Sequence, residues 1–132
     1  MKFFLVTFSF LIISTNFSYS KTQLSEEFWI NYYERLHLKS YESAFKYLEQ
    51  KIKSIEFDGS NDSYFDIEIT IRTLILDSVG ANNFVYLDRA LNLSNKLLNR
   101  LDKNSSFYNH FYPVHLFAVL LLTSGEKIRD DF

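Results

Sequence analysis

The chain carries three histidines, His37, His110 and His115, the residues from which a metal site or a general base would first be drawn. His110 and His115 lie five positions apart, and five residues of helix turn roughly 140°, so the two point to different sides. No converging ligand set follows, and no metal is expected. Glu26, Glu27, Asp66 and Glu68 come in close carboxylate pairs, the raw material of acid–base catalysis. Each stands near the start of an expected helix, where capping and the helix dipole favour a carboxylate without any catalytic role. The chain has no cysteine, no Gly-x-Ser-x-Gly turn, no phosphate-cradling glycine loop and no His-Glu-x-x-His. Neither catalytic nor cofactor-binding residues can be assigned, and the expectation is a protein that is not an enzyme. The remaining candidate chemistry is contact: Phe107, Tyr108, Phe111 and Tyr112 cluster around His110, and aromatic side chains give rigid contact area at low entropic cost. With Val119 on the apolar segment that follows, they form the expected partner-binding set.

The elements that must position these residues begin after an export signal. Lys2, an apolar run from Phe3 to Ile13 and a polar stretch ending Ser18-Tyr19-Ser20 have the order of a secretory leader. Small residues at Ser18 and Ser20 place cleavage before Lys21. The apolar run is well short of the roughly 20 residues a spanning helix needs, so no stable membrane span is expected after cleavage. The expected product is residues 21–132, one domain, secreted or periplasmic. Losing Lys2 moves the formal charge from −2 to −3. A mildly acidic chain without a basic block is a poor ligand for nucleic acid. Without cysteines it cannot be stapled by disulfides, so its stability must come from packing, for which 47% hydrophobic residues are ample. Asn-x-Ser triplets at Asn61, Asn92 and Asn104 are read as chance in an Asn-rich chain.

Apolar residues recur every four positions at Leu24, Phe28, Tyr32 and Leu36, predicting a first helix with Ser25 or Thr22 as its cap. A second stripe, Tyr41, Ala44, Phe45, Leu48, Ile52 and Ile55, predicts a helix capped by Ser40. The short connection makes the two an antiparallel pair. Residues 57–63 read as a loop. From Phe65 to Ile71 apolar and polar residues alternate as in a strand. Ile67, Ile71, Leu74, Ile75 and Ser78 also fall at helical spacing, with Ser63 and Asp66 as a capping box, so a helix over 64–79 ending at Gly80 is expected. Residues 84–101 give a broad apolar stripe through Leu87, Leu91 and Leu98. A last helix starts or bends at Pro113 and ends at Gly125, buried on most sides. The predicted core is Phe28, Tyr32, Leu36, Ala44, Phe45, Leu48, Ile52, Ile71, Leu74, Leu87, Leu91, Leu98, Phe117 and Leu121.

Helix pairs of this kind resemble the tetratricopeptide and related α-solenoid repeat families. The resemblance rests on Tyr41-Glu-Ser-Ala44 continuing Phe-Lys-Tyr-Leu48, more weakly on Leu87-Asp-Arg-Ala90, and on Val114, Phe117, Ala118 and Leu121 before Gly125-Glu-Lys. Departures are Tyr32 where the family prefers Gly, Lys51 where it prefers Ala, Glu56 where it prefers Pro, and 46 residues between Ala44 and Ala90 instead of 34. The expected fold is all-α, about five helices in antiparallel hairpins, solenoid-like, with a compact helical bundle as the alternative. What the resemblance implies is an exported scaffold that binds a protein or peptide, or associates with itself. The other reading is a small accessory bundle or inhibitor of the cell envelope.

Overall fold

A computed structural model describes residues 22–130, with side chains as far as Gly125. The leader lies outside the described residues. The described residues form five helices and no strand: α1 (Glu26–Leu38), α2 (Tyr41–Ser54), α3 (Asn61–Gly80), α4 (Phe84–Arg100) and α5 (Ser106–Asp130). Each helix packs on its neighbour in sequence, and α3 also packs on α5.

The helix starts follow from short polar side chains. Ser25, Ser40, Ser60 and Asn83 each hold an extended or irregular backbone and accept the amide three residues on, which satisfies one of the donors a helix start leaves open. The expected cap of α3 is corrected here. Ser60 rather than Ser63 opens the helix, three residues earlier, and Ser63 becomes the residue whose amide Ser60 accepts. Asp58 closes this turn, accepting from the Ser60 amide and the Ser63 hydroxyl. Hydrogen bonds from Ser60 and then Ser63 hold its carboxyl down at about 2. At the other end of α3 the left-handed residue is Asn82, with φ of 58°, and not Gly80. Asparagine tolerates that region better than most side chains.

The ambiguous stretch 65–71 is helix. Alternation there arises because two helical stripes interleave: Tyr64, Ile67, Ile71, Leu74 and Ile75 are buried, while Phe65, Ile69 and Leu76 face out. Tyr32, Phe45, Leu48, Leu87, Phe111 and Ala118 complete the fully buried centre. Four expected core residues differ. Leu36, Leu91 and Leu121 are half-buried and Phe117 is about half exposed. On α5 the inward stripe is Phe111, Val114, Ala118, Leu121 and Gly125. Phe117 precedes Ala118 by one position, and so sits about 100° away.

α5 is also longer than expected. It runs from Ser106 through Pro113, which lacks the amide a helix interior would use, to Asp130. Gly125 does not end it. The glycine is buried, and a Cβ placed there would run into the Phe84 ring, so its role is to let α5 approach the start of α4.

Between α2 and α4 the contact is ionic as well as apolar. Glu49 is 5% exposed, and Arg89 clasps it with two hydrogen bonds of 2.9 and 2.6 Å while Lys53 stands at 3.8 Å. Phe45 and Tyr86 meet beside this pair at 5.5 Å.

Candidate functional site

The site is built by α3. This helix buries polar residues in its first three turns and exposes apolar ones along its length, the reverse of what the hydrophobic effect alone would select. Asp66, Glu68 and Thr70 are buried while Phe65 (48% exposed), Ile69 (40%) and Leu76 (50%) are open.

Each buried polar group has its own account. Asp66 accepts from the Thr22 hydroxyl at 2.6 Å and the Gln23 amide at 2.7 Å, so it pins the segment that precedes α1. Gln23 extends that strap through its side chain to the Glu56 backbone, donating to the carbonyl at 3.0 Å and accepting from the amide at 3.2 Å. Glu68 is clasped by Arg72 one turn later, at 2.8 and 3.2 Å. Thr70 turns back onto the Asp66 and Ile67 carbonyls, a bond that serine and threonine commonly make within helices.

The exposed residues fall at positions 65, 69, 72 and 76, a single helical stripe with Arg72 as its charged member. Two clefts lie along it. One, of about 330 Å³, is lined by Leu24, Trp29, Phe65, Ile69 and the Asp66, Glu68 and Arg72 charges, with Thr22 at its edge. The other, of about 350 Å³, is almost wholly apolar: Ile75, Leu76, Pro113, Val114 and Phe117, with Arg72 on the shared border. Arg72 uses Nε and Nη2 for Glu68, and its Nη1 amino group remains for an acceptor of another molecule. The arrangement can hold two apolar groups either side of a carbonyl or carboxylate. Nothing in it activates a nucleophile.

The expected contact cluster is divided by the structure. Phe111 is fully buried and belongs to the core, because it faces inward on the α5 stripe. Phe107 is half-buried and stacks on the Tyr64 ring at 4.5 Å. Tyr108 stacks on Tyr112 at 5.6 Å, and Tyr112 is 41% exposed. Val119 is half-buried. Among the described residues the outward aromatics on this helix are Tyr112 and Phe117.

The histidines of α5 serve separate contacts. His110 Nδ1 lies 2.7 Å from the buried Tyr64 hydroxyl on α3, and His115 Nδ1 lies 2.6 Å from the Ser94 hydroxyl on α4. Burial pulls the His115 pKa below its ordinary 6.5. A Ser–His pair is the start of a nucleophile, but Ser94 is completely buried in mid-helix, where neighbouring amides are spent on the helix and cannot form an oxyanion hole. The pair fastens α5 to α4. Burial first, then the hydrogen bond to Asp77 at 2.6 Å, raises the pKa of Tyr32 far above that of a free phenol, and this contact ties α1 to α3.

Among the described residues no three His, Asp or Glu side chains come together as a metal-holding group, and no helix is long and apolar enough to cross a membrane. Compared with models of protein families, with curated proteins and with solved structures, the chain matches none.

Sequence reasoning missed the outward stripe of α3. The signal was present. Once 61–80 is read as helix, Phe65, Ile69 and Leu76 fall off the buried stripe by about one residue's rotation, and a helix with two apolar faces needs two things to cover it.

Proposed function

We propose that this chain is an exported helical-repeat scaffold, without catalytic activity, that holds a protein or peptide partner against the side formed by α1, α3 and α5. One observation carries the reading: α3 turns Phe65, Ile69 and Leu76 outward beside Phe117 of α5 and sends Asp66, Glu68 and Thr70 inward. Apolar side chains left in water forfeit about 1.5–3 kcal/mol each relative to burial, so a contiguous row of them is a surface for something else. Support for a repeat-like stack comes from the packing of each helix on the next and of α3 on α5. Ala44 and Ala90, both fully buried, stand where the tetratricopeptide-like pattern wants a small residue between helices. Support for export comes from the leader pattern, with processing before Lys21 and a secreted or periplasmic product.

Substitutions at the surface test the reading. Leu76→Asp and Phe117→Asp should change the thermal melt little, because both side chains are about half exposed. The same variants should abolish cross-linking of the partner, or of a second copy, through a photoreactive group placed at Ile69. A loss of several kcal/mol in either variant would make this side core and end the proposal. N-terminal sequencing of the exported protein should begin at Lys21.

A further inference from the structure

Another cleft lies away from the partner surface, on the side where α2, α3 and α4 meet. Its volume is about 250 Å³, with Ile52, Ile55, Ile67, Ile71, Leu93 and Leu97 as an apolar floor. Its rim is Lys53, Lys96 and Arg100. Among the described residues no carboxylate lines it.

The cations are poorly compensated. Lys53 has a 3.8 Å contact with Glu49, but that carboxylate is already clasped by Arg89. Among the described residues no carboxylate forms an ion pair with Lys96 or Arg100. Arg100 instead lies 5.5 Å from the centre of the Phe57 ring. α2 and α4 both end near this rim, and their dipoles set about half a negative charge each against it. Three full positive charges outweigh two halves. A site in a chain of net negative charge therefore presents positive potential over an apolar floor.

We propose that this cleft binds a short aliphatic carboxylate, its tail on the isoleucine and leucine floor and its anionic head between Lys96 and Arg100. The charge sets the head group, and the volume sets the tail. At about 30 Å³ for a water-sized group, the cleft holds on the order of eight such groups, below the 300–1,000 Å³ of sites for drug-sized ligands. A chain of about eight carbons fits. The cleft shares no lining residue with the partner surface, so the two proposals can fail separately.

The experiment is a titration of the protein with octanoate, read by the methyl resonances of Ile67, Ile71 and Leu97. Those signals should move, and Leu76 should not. Lys96→Gln with Arg100→Gln should weaken binding by about tenfold, the scale of two modest ion pairs, and Lys96→Arg should retain it. Both parent side chains are exposed, and an unchanged melt would show that the variants fold. Any of four results overturns the proposal: no titration, equal binding of octylammonium, octanoate binding indifferent to the double variant, or shifts centred on Leu76. Binding of an acidic peptide such as acetyl-Asp-Asp-Phe without binding of octanoate would reassign the cleft and likewise overturn it.

Discussion

The two sides of α3 differ in what covers them. Toward α2 and α4, Ile67, Ile71, Leu74 and Ile75 join Leu48 and Leu87 in a packed interior, and the charge that enters it, Glu49, arrives with Arg89 around it. Away from them, the helix presents Phe65, Ile69 and Leu76 about half exposed along the clefts they line. Equal hydrophobicity thus has unequal consequences. On the inner side a leucine is stability; on the outer side it is exposed area, which we propose a partner covers. The polar residues make the same point in reverse. Asp66 and Glu68 are buried because the strap and Arg72 supply what water would have supplied, so position along the helix does not decide burial alone.

The contrast is sharpest in a pair of leucines. Leu48 is fully buried on α2 and Leu76 is half exposed on α3. Leu48→Ala should cost about 2–5 kcal/mol in urea unfolding, the sum of lost transfer energy and the cavity left behind. Leu76→Ala should cost under about 1 kcal/mol, as surface changes do. Equal costs would erase the distinction between the two sides. Next in size is Gly125→Ala, expected to cost about 1–3 kcal/mol because a methyl group there meets the Phe84 ring and α5 must withdraw from α4. A glycine that merely lay within the helix, without the Phe84 ring against it, would instead gain from alanine, whose helix propensity is better by about 1 kcal/mol. The sign of the effect decides between the two roles.

Much of this fold could be read from the residues. The caps Ser25 and Ser40 and the stripes of α1, α2 and α4 are local, and local pattern specifies them. Three features were illegible for one reason: they depend on what stands opposite in space. Gly125 reads as a stop signal until Phe84 is placed against it. Asp66 reads as a capping carboxylate until a strap more than forty residues away reaches it. Phe117 and Phe111 read alike as apolar residues on an apolar helix, and the neighbours of α5 alone decide that Phe111 is core and Phe117 is surface. The contact residues expected from sequence all lie on α5, whereas the exposed apolar stripe of α3 was hidden inside an alternation that looked like a strand.

The smallest effect expected is a gain. Ser78 continues the inward stripe of α3, is fully buried, and among the described residues its hydroxyl has no hydrogen-bond partner. Thr70 is the control on the same helix: equally buried, its hydroxyl bonds the Asp66 and Ile67 carbonyls at 2.8 and 2.9 Å. A buried hydroxyl without a partner costs about 1–3 kcal/mol relative to water. Replacing it by hydrogen removes that cost, adds a few tenths of a kcal/mol of helix propensity, and leaves a void smaller than a methyl group, which offsets part of the gain. Ser78→Ala should therefore stabilise by up to about 1 kcal/mol in urea unfolding. Thr70→Ala should destabilise, since it removes a methyl group from the core as well as a satisfied hydroxyl. If Ser78→Ala were instead to destabilise by more than about 1 kcal/mol, the hydroxyl would have a partner such as a buried water. The inner side of α3 would then follow the rule already seen at Asp66 and Glu68, in which every buried polar group is matched.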